Sequence, residues 1–133
     1  MNTKKSLIFI VEDDFPCGKL IYYFLRKHGY RNAELFTRAE DCLINMERKP
    51  AVIITDYRLK SMNGLHLIQE CRNIYSDFYC IMLSGLDLEY IASKEPVNQY
   101  IDRYIMKGCN GMDELLMTLN NWLHNQYVEH YYS

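Results

Sequence analysis

Ala51-Val52-Ile53-Ile54-Thr55-Asp56 is the stretch on which the fold turns. Residues 52–55 are all β-branched, which suits them to a strand, and no charge interrupts them. A strand that is apolar on both faces belongs in a parallel sheet covered by helices on each side. Residues 51–55 therefore predict a central strand with the carboxylate of Asp56 at its carboxyl end.

Outward from that strand, apolar runs of strand length alternate with stretches of helical period, the pattern of an α/β fold. Residues 7–11 read as a buried strand. Pro16 then opens a helix with Leu20, Ile21, Phe24 and Leu25 on one face, and Gly29 closes it as a left-handed cap. After a short strand at 33–36, Thr37-Arg38-Ala39-Glu40 has the form of a capping box and starts a second helix near Arg38. Its inner stripe is Ala39, Cys42, Leu43 and Met46, and Pro50 stops it. A loop at 57–63 leads to a third helix over 64–75, and residues 79–84 and 104–107 read as strands. The segment 87–100 between those two strands is helical but broken by Pro96. Asn110 can cap the last helix, where Met112, Leu115, Leu116, Leu119, Trp122 and Leu123 recur along one side. The whole reads as (βα)5, a doubly wound five-stranded parallel sheet.

A chain of 133 residues that is 49% hydrophobic suits one domain, with a core over about 6–126, an aromatic extension at 127–133 and no separate output domain. The formal net charge of -2 supplies no broad cationic field, so nucleic acid is not an expected partner. No apolar run is long enough to span a bilayer and residues 1–6 are polar, so no membrane association, no secretory signal and a cytoplasmic location are expected. Cys17, Cys42, Cys71, Cys80 and Cys109 are scattered without zinc-site spacing and read as buried or incidental thiols of a reducing compartment. His28, His66, His124 and His130 show no paired spacing that would make a metal site. The tail with Trp122, Tyr127, Tyr131 and Tyr132 reads as a frayed helix end or as a docking or dimer surface.

In open parallel sheets, ligands bind beyond the carboxyl ends of the strands. Here those ends carry Glu12-Asp13-Asp14, Asp56, Ser84 and Lys107, contributed by four strands. Taken singly each is ordinary: an acidic cluster at a helix start, with Asp14 an N-cap beside Pro16, a strand-end aspartate, a serine in a turn, a solvated lysine. Taken together they have a chemical logic. Carboxylates crowded into a cleft need a compensating cation, and hard oxygen donors without thiolate or imidazole suit magnesium. Lys107 adds a fixed positive charge and the Ser84 hydroxyl a hydrogen bond, the surroundings of a phosphoryl-transfer centre with a carboxylate nucleophile.

The order and spacing of four segments resemble the response-regulator receiver family over essentially the whole chain. They are 9–14 (Phe-Ile-Val-Glu-Asp-Asp), 53–59 running on to Met62-Asn63-Gly64, 82–85 (Met-Leu-Ser-Gly) and 104–107 (Tyr-Ile-Met-Lys). The resemblance implies a CheY-like fold with the flavodoxin-like strand order 2-1-3-4-5. It implies Asp56 as phosphoacceptor, with Asp13 a direct Mg2+ ligand, Glu12 reaching the ion through water, and the backbone carbonyl of Arg58 completing the protein ligands. Ser84 would hydrogen-bond the phosphoryl group, Lys107 would ion-pair with it, and Tyr104 would be the aromatic switch residue.

The same resemblance implies a phosphohistidine donor on a sensor histidine kinase or histidine phosphotransfer protein, and a downstream protein target. It also implies possible homodimer contact through the face of the fourth helix, fifth strand and last helix. Such a protein is a phosphoacceptor switch in a two-component or phosphorelay system that assists its own phosphorylation and dephosphorylation, not an enzyme acting on outside substrates. Gly108 and Lys60 stand where the family usually has prolines, Pro96 disturbs the fourth helix, and the span from Ser84 to Lys107 is about one residue long. Two alternatives remain: a receiver-like interaction module independent of phosphorylation, and a phosphohydrolase. The second is disfavoured because Arg58 stands where aspartate-based phosphatases carry a general acid.

Overall fold

Five strands, β1 (Ile8–Val11), β2 (Ala33–Phe36), β3 (Val52–Thr55), β4 (Tyr79–Ser84) and β5 (Arg103–Met106), form one parallel sheet in the order β2-β1-β3-β4-β5. The order reverses direction after β1, so the crevice beyond the carboxyl ends of β1 and β3 is the topological switch point. This computed structural model describes residues 3–132 except 95, without the side chains of 3, 127 and 130–132. The reading of the aromatic extension rests on the side chains of Tyr127, His130, Tyr131 and Tyr132 and therefore lies outside what is described.

Strand residues alternate between two cores, as a period of two requires. Phe9, Val11, Ile53, Cys80 and Met82 face one side, where they bury α2 (Ala39–Ile44) and α3 (Gly64–Ile74) through Ala39, Cys42, Leu65, Ile68 and Cys71. Ile91 of α4 (Leu88–Ala92) and Val97 of α5 (Val97–Tyr100) join that core. Ile8, Ile10, Val52, Ile54, Ile81 and Ile105 face the other side, against Ile21 and Leu25 of α1 (Phe15–Lys27) and Leu115 and Leu119 of α6 (Gly111–Tyr132).

Several details differ from the sequence reading. The capping box does not form: α2 starts after Arg38, which has no side-chain cap, and the Glu40 carboxylate instead accepts from Arg38 Nε and from the Ser61 hydroxyl. Past Ile44 the second helix tightens into a 3-10 turn, Met46–Arg48, and left-handed Lys49 (φ 56°) ends it one residue before Pro50. Leu20 is 63% exposed, so the buried stripe of α1 is Gly18, Ile21 and Leu25. The strand expected at 104–107 begins and ends one residue earlier, which leaves Lys107 just beyond it. Only Cys42, Cys71 and Cys80 are buried; Cys17 is half-buried and Cys109 exposed. The break expected at Pro96 is present as the gap between α4 and α5, with Pro96 as the N-cap of α5.

Arg72 ties the far end of the sheet together. Its guanidinium donates to the carbonyls of Ser76 (2.8 Å), Phe78 (3.2 Å) and Tyr100 (3.0 Å), pairs with Asp102 (3.3 Å), and stacks 4.2 Å from the Phe78 ring centroid. Asp102 in turn accepts from the Cys80 N–H at 2.7 Å. Truncation removes the guanidinium donor from two partly buried carbonyls, Phe78 and Tyr100, so Arg72→Ala is expected to lower the unfolding free energy by about 2 kcal/mol in urea titrations.

Candidate functional site

The backbone ladder runs one residue past three strand ends and pins the groups that matter. Glu12 N–H donates to the Phe36 carbonyl (3.0 Å), Asp56 N–H to Val11 (3.1 Å), and Lys107 N–H to Ser84 (2.7 Å). Three polar side chains from three strands are thus fixed at one sheet edge by rigid elements, with little loop freedom between them.

Their side chains meet. Lys107 Nζ donates to Glu12 Oε1 at 3.2 Å and to Asp56 Oδ2 at 3.1 Å. The side chains of Glu12 and Asp56 are only 3% and 12% exposed, whereas that of Lys107 is 28% exposed. Burial, then the charge of Asp56, push the Glu12 carboxyl up to about 7 against the partial relief Lys107 offers. Burial pulls the Lys107 ammonium down, but the hydrogen bond and charge of Asp56, with Glu12 behind them, more than reverse this and hold it above its usual range.

The other sequence candidates take distinct places. Asp14 is the N-cap of α1, accepting from the Cys17 N–H at 3.2 Å, so its ordinary reading holds. Asp13 is half-buried beside the cluster, where it lines a groove of about 520 Å³ with Phe15, Arg38, Glu40, Lys60 and Ser61. Arg58 is exposed on the loop after β3. Ser84, 1% exposed, accepts from the Leu86 N–H at 3.2 Å, and the Tyr104 hydroxyl donates to the Leu86 carbonyl. Both therefore hold the start of the β4–α4 loop. Among the described residues no three acidic, histidine or cysteine side chains close into a ready-made metal cage.

Two neighbours of the site were named in the sequence but given no role at it. Gly64 lies against the backbone of Asp56: an added Cβ would stand 2.0 Å from the Asp56 carbonyl oxygen. The same carbonyl accepts from Thr55 Oγ1 at 2.9 Å, and Gly64 N–H donates to Tyr57 at 2.6 Å. A glycine directly after a capping asparagine was the available signal, since Asn63 accepts from His66 N–H at 2.8 Å. Cys17, read as incidental, sits beside Glu12 and Lys107, and its thiol is pushed up by burial and by the charge of Glu12.

The fold is thus a doubly wound α/β sheet with a Glu12–Lys107–Asp56 cluster at its carboxyl edge. Residues 8–120 match the family described as response regulator receiver domain, and the chain belongs to that family. A CheY-like receiver domain protein from Methanospirillum hungatei is similar in structure, with 27% identity and a TM-score of 0.79 over 93% of this chain and 98% of that one. TrrA from Thermotoga maritima, a response regulator solved in complex with Mg2+-BeF, shares the fold at 22% identity and a TM-score of 0.77, over 87% of this chain and 97% of that one. An uncharacterized transcriptional regulatory protein of Bacillus subtilis, YesN, is 31% identical over 65 residues, which cover 49% of this chain and 17% of YesN. The chain thus matches less than a fifth of that relative's length.

Two expectations follow from the geometry. Gly64→Ala forces the Asp56 backbone to move and is expected to lower the thermal midpoint measurably and to shift the Asp56 amide resonance. In metal-free buffer the folded state holds the Glu12 proton more tightly than the unfolded chain, whose carboxyl keeps the ordinary value of 4.5. Stability should therefore fall as pH rises from 4.5 to about 7, and Glu12→Gln should flatten that slope and raise the unfolding free energy at pH 8 by on the order of 1–3 kcal/mol in chemical denaturation.

Proposed function

We propose that the chain is a phosphoacceptor switch of two-component or phosphorelay signalling, with Asp56 as the nucleophile. The observation that carries this reading is the Lys107 ammonium held between Glu12 Oε1 and Asp56 Oδ2 at the switch point of the sheet. Such a lysine would neutralise incoming phosphoryl oxygens, and the ladder bond of the Asp56 backbone fixes the point from which its carboxylate would attack. As the new P–O bond to Asp56 forms, the P–N bond of a phosphohistidine donor breaks. Serving as acceptor for a histidine kinase or phosphotransfer protein, and then for its own hydrolysis, makes the chain a switch rather than an enzyme with an outside substrate.

The donor set suits Mg2+, which takes one or two carboxylates and keeps several waters, so the absence of a three-acid cage among the described residues does not count against it. Asp13 and Asp56, the Arg58 carbonyl, and Glu12 through water would hold the ion, and it would supply charge neutralisation for the transferring group. The Ser84 hydroxyl, now satisfied by the Leu86 N–H, would turn to the phosphoryl group, and Tyr104, already on the Leu86 carbonyl, would follow the loop. The output would be read by a protein partner, or by a second copy, on the face of α4, α5, β5 and α6. A cytoplasmic setting fits this chemistry, and no described helix is long and apolar enough to cross a membrane.

Incubation with acetyl phosphate and Mg2+ should add one hydroxylamine-labile phosphoryl group by mass spectrometry, and chelator or Asp56→Asn should prevent it. Lys107→Ala should slow uptake at least about tenfold. Wild type that stays unmodified, with no beryllofluoride uptake by fluorine NMR, would leave phosphorylation-independent binding as the reading.

A further inference from the structure

The loop after β3 must present the Arg58 carbonyl accurately, yet Arg58, Lys60 and Ser61 are all exposed. Its ends are secured. Asp56 is on the sheet ladder, and Asn63 and Gly64 are fixed by the start of α3. Tyr57, Leu59 and Met62 pack partly against the core beneath. The exposed crest needs its own tether, and one is present: the Ser61 hydroxyl donates to Glu40 Oε1.

Glu40 is itself anchored. It lies in the first turn of α2, where the helix dipole favours a carboxylate, and its other oxygen accepts from Arg38 Nε at 3.2 Å. The Ser61 hydrogen bond, followed by that of its own backbone N–H and then the Arg38 charge, holds the Glu40 carboxyl below its usual range. Glu40 and Ser61 share the walls of the groove of about 520 Å³ that Asp13 also lines, so the contact bridges α2 to the loop across the flank of the acidic site.

We infer that Glu40 and Ser61 act as a positioning pair, a strap from α2 that fixes the exposed crest of the β3–α3 loop and with it the Arg58 backbone, whose carbonyl would join Asp13 and Asp56 around the ion. The inference rests on the magnesium-dependent reading above and deepens it. Neither residue is among those that would hold the ion or meet the phosphoryl group. Losing the strap leaves the carboxylates and Lys107 where they are, but lets the loop sample positions in which the carbonyl points away. Outer partners of this kind tune metal affinity through the ligand they hold.

The test uses the full chain and Mg2+ itself, by titration calorimetry, with Ser61→Ala, Glu40→Ala, the double variant and Glu40→Gln. Glu40→Gln keeps an oxygen acceptor for the Ser61 hydroxyl. Both alanine variants should weaken Mg2+ binding about tenfold, the double variant should be no worse than either, and Glu40→Gln should recover most of the loss. In metal-free protein, amide exchange at residues 58–62 should quicken in the alanine variants while the thermal midpoint stays at the wild-type value. Wild-type affinity in both alanine variants, additive losses in the double variant, or a Glu40→Gln as weak as Glu40→Ala would each overturn the strap. Wild type that binds no Mg2+ would instead sink the underlying reading, so the two failures are told apart.

Discussion

The site depends on one ammonium group between two carboxylates. Glu12 and Asp56 come from different strands and are mostly withdrawn from water, so without a cation between them the sheet would end in a desolvated like-charge pair. Lys107, placed by β5, reaches over two strands to Asp56 and three to Glu12 and supplies that cation at 3.1–3.2 Å from both. Burial first, and then the charge of Asp56, outweigh that compensation at Glu12, whose carboxyl is held above its ordinary range. A site left short of positive charge at its acidic end is one that a divalent ion would improve, and the same lysine is then available to an arriving anion.

The rest of the architecture serves that arrangement. The parallel sheet aligns its carboxyl ends, with Val11 opposite Thr55, Thr55 opposite Met82 and Ser84 opposite Met106. The residue following each of β1, β3 and β5 is therefore at the same edge, and the ladder continues far enough to hold it. Gly64 lets α3 start in van der Waals contact with the Asp56 backbone, which sets the loop between them to a short, closed path.

Much of this was legible in the sequence because it depends on local chemistry. The β-branched run at 52–55, Pro16 at a helix start, Asn63 before Gly64 and the polar residues at strand ends each act through their own backbone or immediate neighbours. The strand order came with the family resemblance, since alternation specifies a parallel sheet but not the permutation of its strands. What was misread depended on which side chains meet once the chain is folded. Thr37 to Glu40 has the letters of a capping box, but Ser61 and Arg38 compete for the same carboxylate and win. Leu20 has the spacing of a core residue, but α1 is rotated so that Gly18 faces Leu35, where an added Cβ would come within 2.7 Å of its Cδ1. The contact of Gly64 with Asp56 and the approach of Cys17 to Glu12 and Lys107 are likewise tertiary facts.

The region that would carry a signal is built differently from the site. Where one continuous helix could cover the sheet between β4 and β5, there are two of five and four residues, separated at Pro96. Helices of that length do not hold in water by propensity, so their order comes from Ile91, Val97 and Ile101 in the core and from the loop bonds at Ser84, Leu86 and Tyr104. Reversing a 1:99 equilibrium to 99:1 takes about 5.5 kcal/mol. That sum is set by the two populations alone, so a phosphoryl group would have to supply it whatever the size of the moving piece. In the proposed switch, the Ser84–Leu86–Tyr104 contacts are where the charge on Asp56 would be converted into the placement of α4, and the break at Pro96 would confine the change to the half of the segment nearest the site.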